Sequence, residues 1–482
     1  EKRLPEFLVD DEISKYQKLM INAHEPYMKE RAHDIEDIKY RIVRNLQKRR
    51  WQSSIKQNAV IISEAMTPAD TILFSRNNVR AFVTDHGGLT SHAAIISRSL
   101  NIPAVVGANN ASHLIQETDT VIIDGFHGYI IVNPNKQQLS FFEKKLERLK
   151  ELQKGLEEYK GKPSTTTDGK EIRLSANVDV SGEMDLVITS GAKGIGLYRT
   201  EQVLEELSEF PDEDEQAKLY LKLASRVYPE TIVIRAFDIG GDKFRYYDFI
   251  EPNPFLGLRG IRLLLENKTL FKTQIRAVLR STENKNVQFM IPMISTISEV
   301  KESKELIEEC KKELKQQGIS FDHNMKVGIM VEVPSAAVMA EVFAKEVDFL
   351  SIGTNDLIQY LLAVDRGNDM VADLYQEFSP AVIRTIHYVV TEAKKANKGV
   401  SLCGEMAADT LAIPLLVGLG LESLSISPST LLYATRIIRS ISFEKAEELA
   451  KACLLCSTEI EVTGLIEKFF VDNSITRTRN LL

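Results

Sequence analysis

The feature that most constrains this chain is an alternation running through its second half. Short β-rich runs recur between longer helical stretches: EIRLSANV, GIGLYR, TIVIRAFDIGG, VQFMIPM, KVGIMVE, VDFLSIG, GVSLCGE and SLSIS, eight in all. Eight β/α units over about 270 residues match a closed (β/α)8 barrel, for which about 250 residues is typical, better than an open sheet. Ahead of the barrel, VIISEA, AFVTD, TVIIDG and YIIVNP are separated by turn residues, so residues 55–135 read as a compact α/β domain. Residues 11–50 carry a helical stripe through Ile35, Ile38, Ile42 and Leu46. Between the two halves lies a charged helical run, FFEKKLERLKELQKGLEEY, and then the polar, turn-rich KGKPSTTTDGK, which predicts a boundary near 160–169. The expected fold class is α/β throughout.

Composition narrows the partners. Sixty Lys and Arg against 68 Asp and Glu give a net charge of -8, which excludes a broad basic surface for nucleic acid or anionic membrane and leaves any anion site local. The longest strongly apolar run, Leu411 to Leu421, falls well short of the roughly 20 residues that span a bilayer. Four cysteines, Cys310, Cys403, Cys453 and Cys456, are too few for a disulfide framework at this length and point to a reducing, cytoplasmic compartment. The chain begins at Glu1 without Met and is read as a possible fragment.

A barrel carries its active site at the carboxyl ends of its strands, and polar residues collect there. Strand two ends in Arg199, strand three in Arg235, with Arg259 following in NPFLGLRGIR. Strand five ends in Glu332, strand six in Asn355 and Asp356 with Arg366 beyond, and strand seven in Cys403. Guanidinium forks suit phosphate and carboxylate oxygens, and two carboxylates plus phosphate oxygens suit Mg²⁺, so the expected ligand is a phosphorylated acid. Any one arginine is equally well a rim ion pair; four at successive strand ends beside two carboxylates favour a site. A cysteine is most often a small buried hydrophobe, but at a strand end its thiol is a candidate proton donor. Cys453 and Cys456 form a CxxC on an amphipathic helix, without a second pair, and are read as core contacts.

The second candidate lies in the smaller domain. In GGLTSHAAI two glycines and two hydroxyl residues precede His92 where AAIISRSL begins a helix, whose free amides and dipole favour an anion held by the imidazole. Gly240 and Gly241 after strand three are read more simply as a tight turn.

Taken together, GGLTSHAAIISRSLNIPAVVG, GIGLYRTE, DIGGDK, NPFLGLRGIR, VDFLSIGTNDLIQYLLAVDRGND and LCGEMAAD resemble the enzyme I family, the phosphoenolpyruvate-protein phosphotransferases of the bacterial sugar phosphotransferase system. The resemblance covers about residues 25–480, in the family's order and approximate spacing. It implies that His92 takes the phosphoryl group of phosphoenolpyruvate, releasing pyruvate, and passes it to a histidine of the phosphocarrier HPr. Carried over by position, Glu332 and Asp356 bind Mg²⁺, while Arg199, Arg235, Arg259, Asn355 and Arg366 hold phosphoenolpyruvate. Cys403 protonates the enolate carbon. The implied domains are an N-terminally truncated remnant of the helical HPr-binding domain at 1–54, a swivelling phosphohistidine domain at 55–135, a helical linker at 136–169 and a phosphoenolpyruvate-binding TIM barrel at 170–482 that forms a homodimer. The chain departs from the family at Leu89, Ala236 and after YRTE. Three alternatives stand beside it: a nitrogen-branch paralogue; a relative of pyruvate phosphate dikinase or phosphoenolpyruvate synthase, which shares the histidine domain and barrel but is disfavoured by DIGGDK and AVDRGND; and a noncatalytic phosphoenolpyruvate-binding regulator. A dikinase needs a nucleotide-binding domain ahead of the histidine domain, and roughly 55 helical residues are too few for a domain of 100 or more.

Overall fold

A computed structural model describes residues 9, 12–16, 20, 59–64, 66, 79–86, 97, 102–125, 127–179, 183–201, 211–240, 251, 253–366 and 368–475. The helical stripe through Ile35 and Leu46, and the whole GGLTSHAAI segment with Leu89 and His92, lie outside the described residues. The chain divides into two compact units, Glu1–Glu143 and Lys144–Leu482.

In the first unit, β1 (Val60–Ser63), β2 (Ala81–Thr84) and β3 (Ala104–Val105) form a parallel sheet in that order. The central strand is buried along its whole length, which explains its unbroken apolar and β-branched sequence. Beside them β4 (Val121–Asp124) and β5 (Tyr129–Val132) make an antiparallel hairpin. The four anticipated strands are all present. The additional β3 is only two residues long and follows a proline, too short for periodicity to register.

The second unit is a closed barrel of eight parallel strands: β6 (Arg173–Val178), β7 (Ile195–Tyr198), β8 (Ile232–Arg235), β9 (Val287–Ile291), β10 (Val327–Val331), β11 (Phe349–Ile352), β12 (Gly399–Leu402) and β13 (Ser423–Ile426), with β13 pairing back onto β6. Each lies within one of the eight runs read from the sequence. Parallel pairing puts all eight carboxyl ends on one rim, so residues that leave the strands there face a common space. Inside the barrel Leu197, Val233, Met290, Met330 and Cys403 form a buried layer. Outside it, helices such as Lys268–Arg280 and Pro380–Lys395 bury one apolar stripe, while Ala412–Gly418 is buried on all sides. Cys453, in the helix Phe443–Leu455, is completely buried, and burial pushes its thiol up to about 12, as a packing residue requires.

The stretch read as a turn-rich linker is tied down. Thr165 bridges Glu171, and Asp168 accepts hydrogen bonds from the amides of Phe443 and Glu444 at 2.8 and 3.1 Å. Those bonds use free donors at the start of the helix Phe443–Leu455, so the loop caps the helix and fixes the entry to β6.

Candidate functional site

Two backbone features aim the arginines. Arg199 and Arg235 leave β7 and β8 directly, but Arg259 arrives on a long loop that returns to pair with Gly240 in an isolated antiparallel bridge. Gly240 adopts φ +110°, and a Cβ there would stand 2.2 Å from the Leu258 carbonyl oxygen. Only glycine permits this approach. The turn anticipated at Gly240 therefore has a further consequence, since it seats Arg259; Gly241 lies outside the described residues.

The side chains at the rim form one continuous run of alternating charge. Glu201 Oε1 lies 3.0 Å from Arg235 Nη2, and Arg235 Nη1 lies 3.3 Å from Asp238 Oδ2. Asp238 accepts from Arg259 Nε at 3.2 Å and from Arg259 Nη2 at 2.9 Å. Arg259 Nη1 then reaches Asp356 Oδ1 at 3.4 Å, and Arg366 Nη2 stands 4.0 Å from the same oxygen. Arg199 pairs separately with Asp179, its Nη1 at 2.9 and 3.1 Å from the two carboxylate oxygens. Glu201, Arg235, Asp238, Arg259 and Asp356 are all buried. A buried charge costs several kcal/mol unless it is paired and hydrogen-bonded, so the alternation is what makes the two buried guanidiniums, Arg235 and Arg259, tolerable side by side. For Arg235 and Arg259 burial opposes the charge, and neighbouring carboxylates outweigh it, holding both guanidiniums firmly protonated.

Two buried donors at strand exits have no hydrogen-bond partner among the described residues: Arg235 Nε at the end of β8 and the Thr354 hydroxyl after β11. An orphaned buried donor on a cation is costly and is what an arriving anion would satisfy.

The carboxylates divide into two kinds. Asp238 is locked between two arginines, whereas Glu332 has a single backbone donor, the amide of Met293 at 2.6 Å. Met293 is held at φ +57°, a left-handed conformation costing about 1–3 kcal/mol for a residue with a side chain. Burial, followed by the charges of Asp356 and Asp238, pushes the Glu332 carboxyl up to about 8. Beside it a Cβ on Gly353 would stand 2.9 Å from Oε2, so the glycine leaves that oxygen uncrowded. The Asp356 charge thus works against ionisation of Glu332, and a hard divalent cation would relieve that repulsion. Among the described residues no group of three or more His, Cys, Asp or Glu is placed to hold a metal. Two carboxylates are a donor set that Mg²⁺ could use, since it binds through one or two carboxylates and completes its shell with water and phosphate oxygens.

Asn355 and Asp356 sit in the first turn of the helix Thr354–Leu362 after β11. The Asn355 side chain accepts from the Glu405 amide at 2.7 Å and donates to the Glu405 carboxylate at 3.4 Å, which couples the exits of β11 and β12. Cys403 follows β12, buried at 2% exposure. Its thiol donates to the Ile352 carbonyl at 3.6 Å and accepts from the Ser351 hydroxyl at 3.3 Å. Burial pushes this thiol up more than the Ser351 hydrogen bond lowers it, so at neutral pH it keeps its proton.

The structure thus brings Arg235, Arg259, Asp356 and Arg366 into one ion-paired run and sets Arg199, Glu332, Asn355 and Cys403 at strand exits on the same rim. Sequence reasoning stopped at the arginines and passed over Asp179, Glu201 and Asp238. The last two stand in the quoted motifs GLYRTE and DIGGDK, but an acidic residue near an arginine does not disclose whether it holds the arginine or the ligand.

Comparison with known proteins decides the family. Residues 55–128 match the PEP-utilising enzyme mobile domain, and residues 153–443 match the PEP-utilising enzyme PEP-binding domain. The phosphoenolpyruvate-protein phosphotransferase of Mycoplasma capricolum subsp. capricolum is 42% identical over 458 residues, which cover 94% of this chain and 80% of that relative. Its counterpart in Bacillus subtilis is 41% identical over 469 residues, 96% of this chain and 82% of the relative. That of Geobacillus stearothermophilus is 42% identical over 448 residues, 92% and 78% respectively. The chain belongs to the phosphoenolpyruvate-protein phosphotransferase family. It is a phosphotransferase with the barrel and α/β architecture read from its sequence, and no described helix is long and apolar enough to cross a membrane.

Proposed function

We propose that this phosphotransferase moves the phosphoryl group of phosphoenolpyruvate onto His92, releases pyruvate, and passes the group to a histidine of the phosphocarrier HPr in the first step of sugar uptake. The observation that carries the reading is the alternating run from Glu201 to Arg366, which holds three guanidiniums in place yet leaves Arg235 Nε unsatisfied.

Phosphoryl transfer depends on positioning and on charge stabilisation, with little covalent work by the site. Arg199, Arg235, Arg259 and Arg366 bind the phosphate and carboxylate of the substrate, and Asn355 adds an amide. Because Asp238 and Asp179 fix the guanidiniums beforehand, the arginines need not reorganise when charge shifts between oxygens. Mg²⁺, held by Glu332 and Asp356, supplies neutralisation of the phosphoryl oxygens when bound. His92 attacks phosphorus through a neutral ring nitrogen, which a side chain with an ordinary pKa near 6.5 offers at cytosolic pH. The departing group is the enolate of pyruvate. Cys403, kept as a thiol by burial, gives its proton to the methylene carbon, and the product leaves as pyruvate.

On this reading residues 55–135 carry the phosphohistidine and residues 170–482 bind phosphoenolpyruvate, the barrel forms a homodimer, and the enzyme works in the cytoplasm. The test is pyruvate release from phosphoenolpyruvate with Mg²⁺ by the wild-type chain and by Arg235→Ala. Release that depends on Arg235 supports the reading. Phosphoenolpyruvate binding with no release by the wild-type chain would favour a regulator.

A further inference from the structure

Barrel interiors are filled mainly by bulky branched side chains. Here β11 and β12 instead carry serines directly opposite one another, Ser351 facing Ser401 in register. Ser401 is two residues before Cys403 and so lies on the same face of the chain, the face that looks into the barrel. The thiol lies in an apolar layer with Leu197, Val233, Met290 and Met330, and Phe349 against it, while from the β6 side Asn177 donates to the Cys403 carbonyl at 2.9 Å and accepts from the Ser425 hydroxyl at 2.6 Å. A hydroxyl in such a place costs free energy unless it is hydrogen-bonded, and two serines are an expensive way to fill space.

Their bonds all run one way. Ser401 Oγ donates to Ser351 Oγ at 2.9 Å, and Ser351 Oγ donates to Cys403 Sγ at 3.3 Å. Ser351 is 1% exposed, whereas Ser401 is half-buried, so the line leads from a partly accessible hydroxyl to a sulfur sealed from solvent. Two serines serving only to satisfy each other have no need to end on the thiol.

We propose that Ser401 and Ser351 form a hydroxyl relay that returns a proton to Cys403 after each turnover, on the far side from the substrate. This rests on the reading of Cys403 as the acid that protonates the enolate. In that step the S–H bond breaks as a C–H bond forms at the methylene carbon, leaving a thiolate. Ser351 passes its hydroxyl proton to sulfur, Ser401 passes its own to the Ser351 oxygen, and Ser401 recovers one from solvent. The sum is one proton moved from solvent to sulfur, with both hydroxyls restored. The two serines act through Cys403 and are positioning residues; they touch no reacting carbon.

The experiment follows deuterium entry into the methyl group of pyruvate by NMR, in D₂O, with phosphoenolpyruvate, pyruvate and Mg²⁺ at equilibrium on the full chain. Wild type, Cys403→Ala, Ser351→Ala, Ser401→Ala and Ser401→Thr are compared. The relay requires Ser351→Ala and Ser401→Ala each to slow exchange at least tenfold, with the KM for phosphoenolpyruvate changed less than twofold, and Ser401→Thr to recover most of the rate. A packing role alone would lower thermal stability and raise KM without recovery by threonine. Exchange at the wild-type rate in both alanine variants, while Cys403→Ala abolishes it, would overturn the relay and leave the acid assignment standing. Wild-type exchange in Cys403→Ala would overturn that assignment and the relay with it. Should Ser351→Ala fail to fold, the half-buried Ser401 pair decides alone.

Discussion

Replacing Asp238 with asparagine keeps the shape of the side chain and removes the charge that joins two arginines. Three contacts are affected: the 3.2 and 2.9 Å bonds from Arg259 and the 3.3 Å pair with Arg235. Removing one partner of a buried ion pair costs about 3–5 kcal/mol. Both guanidiniums retain a second carboxylate, Glu201 at 3.0 Å and Asp356 at 3.4 Å, so the low end applies, about 3 kcal/mol. At roughly 2 °C per kcal/mol for a large domain, the melting midpoint of Asp238→Asn should fall by about 6 °C. If about 2 kcal/mol of that positioning is expressed in the transition state, kcat/KM for phosphoenolpyruvate falls about 30-fold. The variant also carries one more net positive charge in the site. Inorganic phosphate should therefore raise its melting midpoint more than it raises that of the wild type. Thermal melts with and without phosphate, alongside initial rates, read both effects. A midpoint within about 1 °C of wild type, with an equal phosphate response, would refute the claim that Asp238 holds these arginines.

Two other substitutions probe how the backbone serves the site. Gly240→Ala places a Cβ against the Leu258 carbonyl at φ +110°, a conformation costing about 1–3 kcal/mol for residues other than glycine, and should weaken phosphoenolpyruvate binding measured by calorimetric titration because Arg259 shifts with its loop. Asp168→Asn should lower the melting midpoint at pH 7. The Phe443 amide, with the Thr166 hydroxyl next, holds the Asp168 carboxyl below the usual range, so its contribution is present above the ordinary carboxylate pKa near 4 and is lost as pH falls through the lower folded-state value. The difference between variant and wild type should accordingly close on acidification, and a difference that widens below pH 4 would contradict this.

The barrel was legible because each strand is a short apolar run bounded by polar turns, and eight such runs at β/α spacing leave few other closed solutions. Cys403, Glu332 and the arginines were legible for a related reason: once the strands are known, their carboxyl ends are known. What could not be read was the third dimension of the rim. Arg259 depends on a loop that returns to Gly240, and its partner Asp238 lies 21 residues away in sequence. The serine line is hidden for another reason. Ser351 and Ser401 are 50 residues apart and meet only because β11 and β12 pair in one register. A two-residue strand such as Ala104–Val105 carries too little period to be seen at all.

The central claim is that this chain carries a phosphoryl group on His92. Intact mass after incubation with phosphoenolpyruvate and Mg²⁺, for wild type and His92→Ala, tests it directly. The account predicts a gain of one acid-labile phosphoryl group in the wild type and none in the variant. A gain of equal size in His92→Ala would move the acceptor elsewhere, and no gain in either, with phosphoenolpyruvate still bound, would contradict the carrier function.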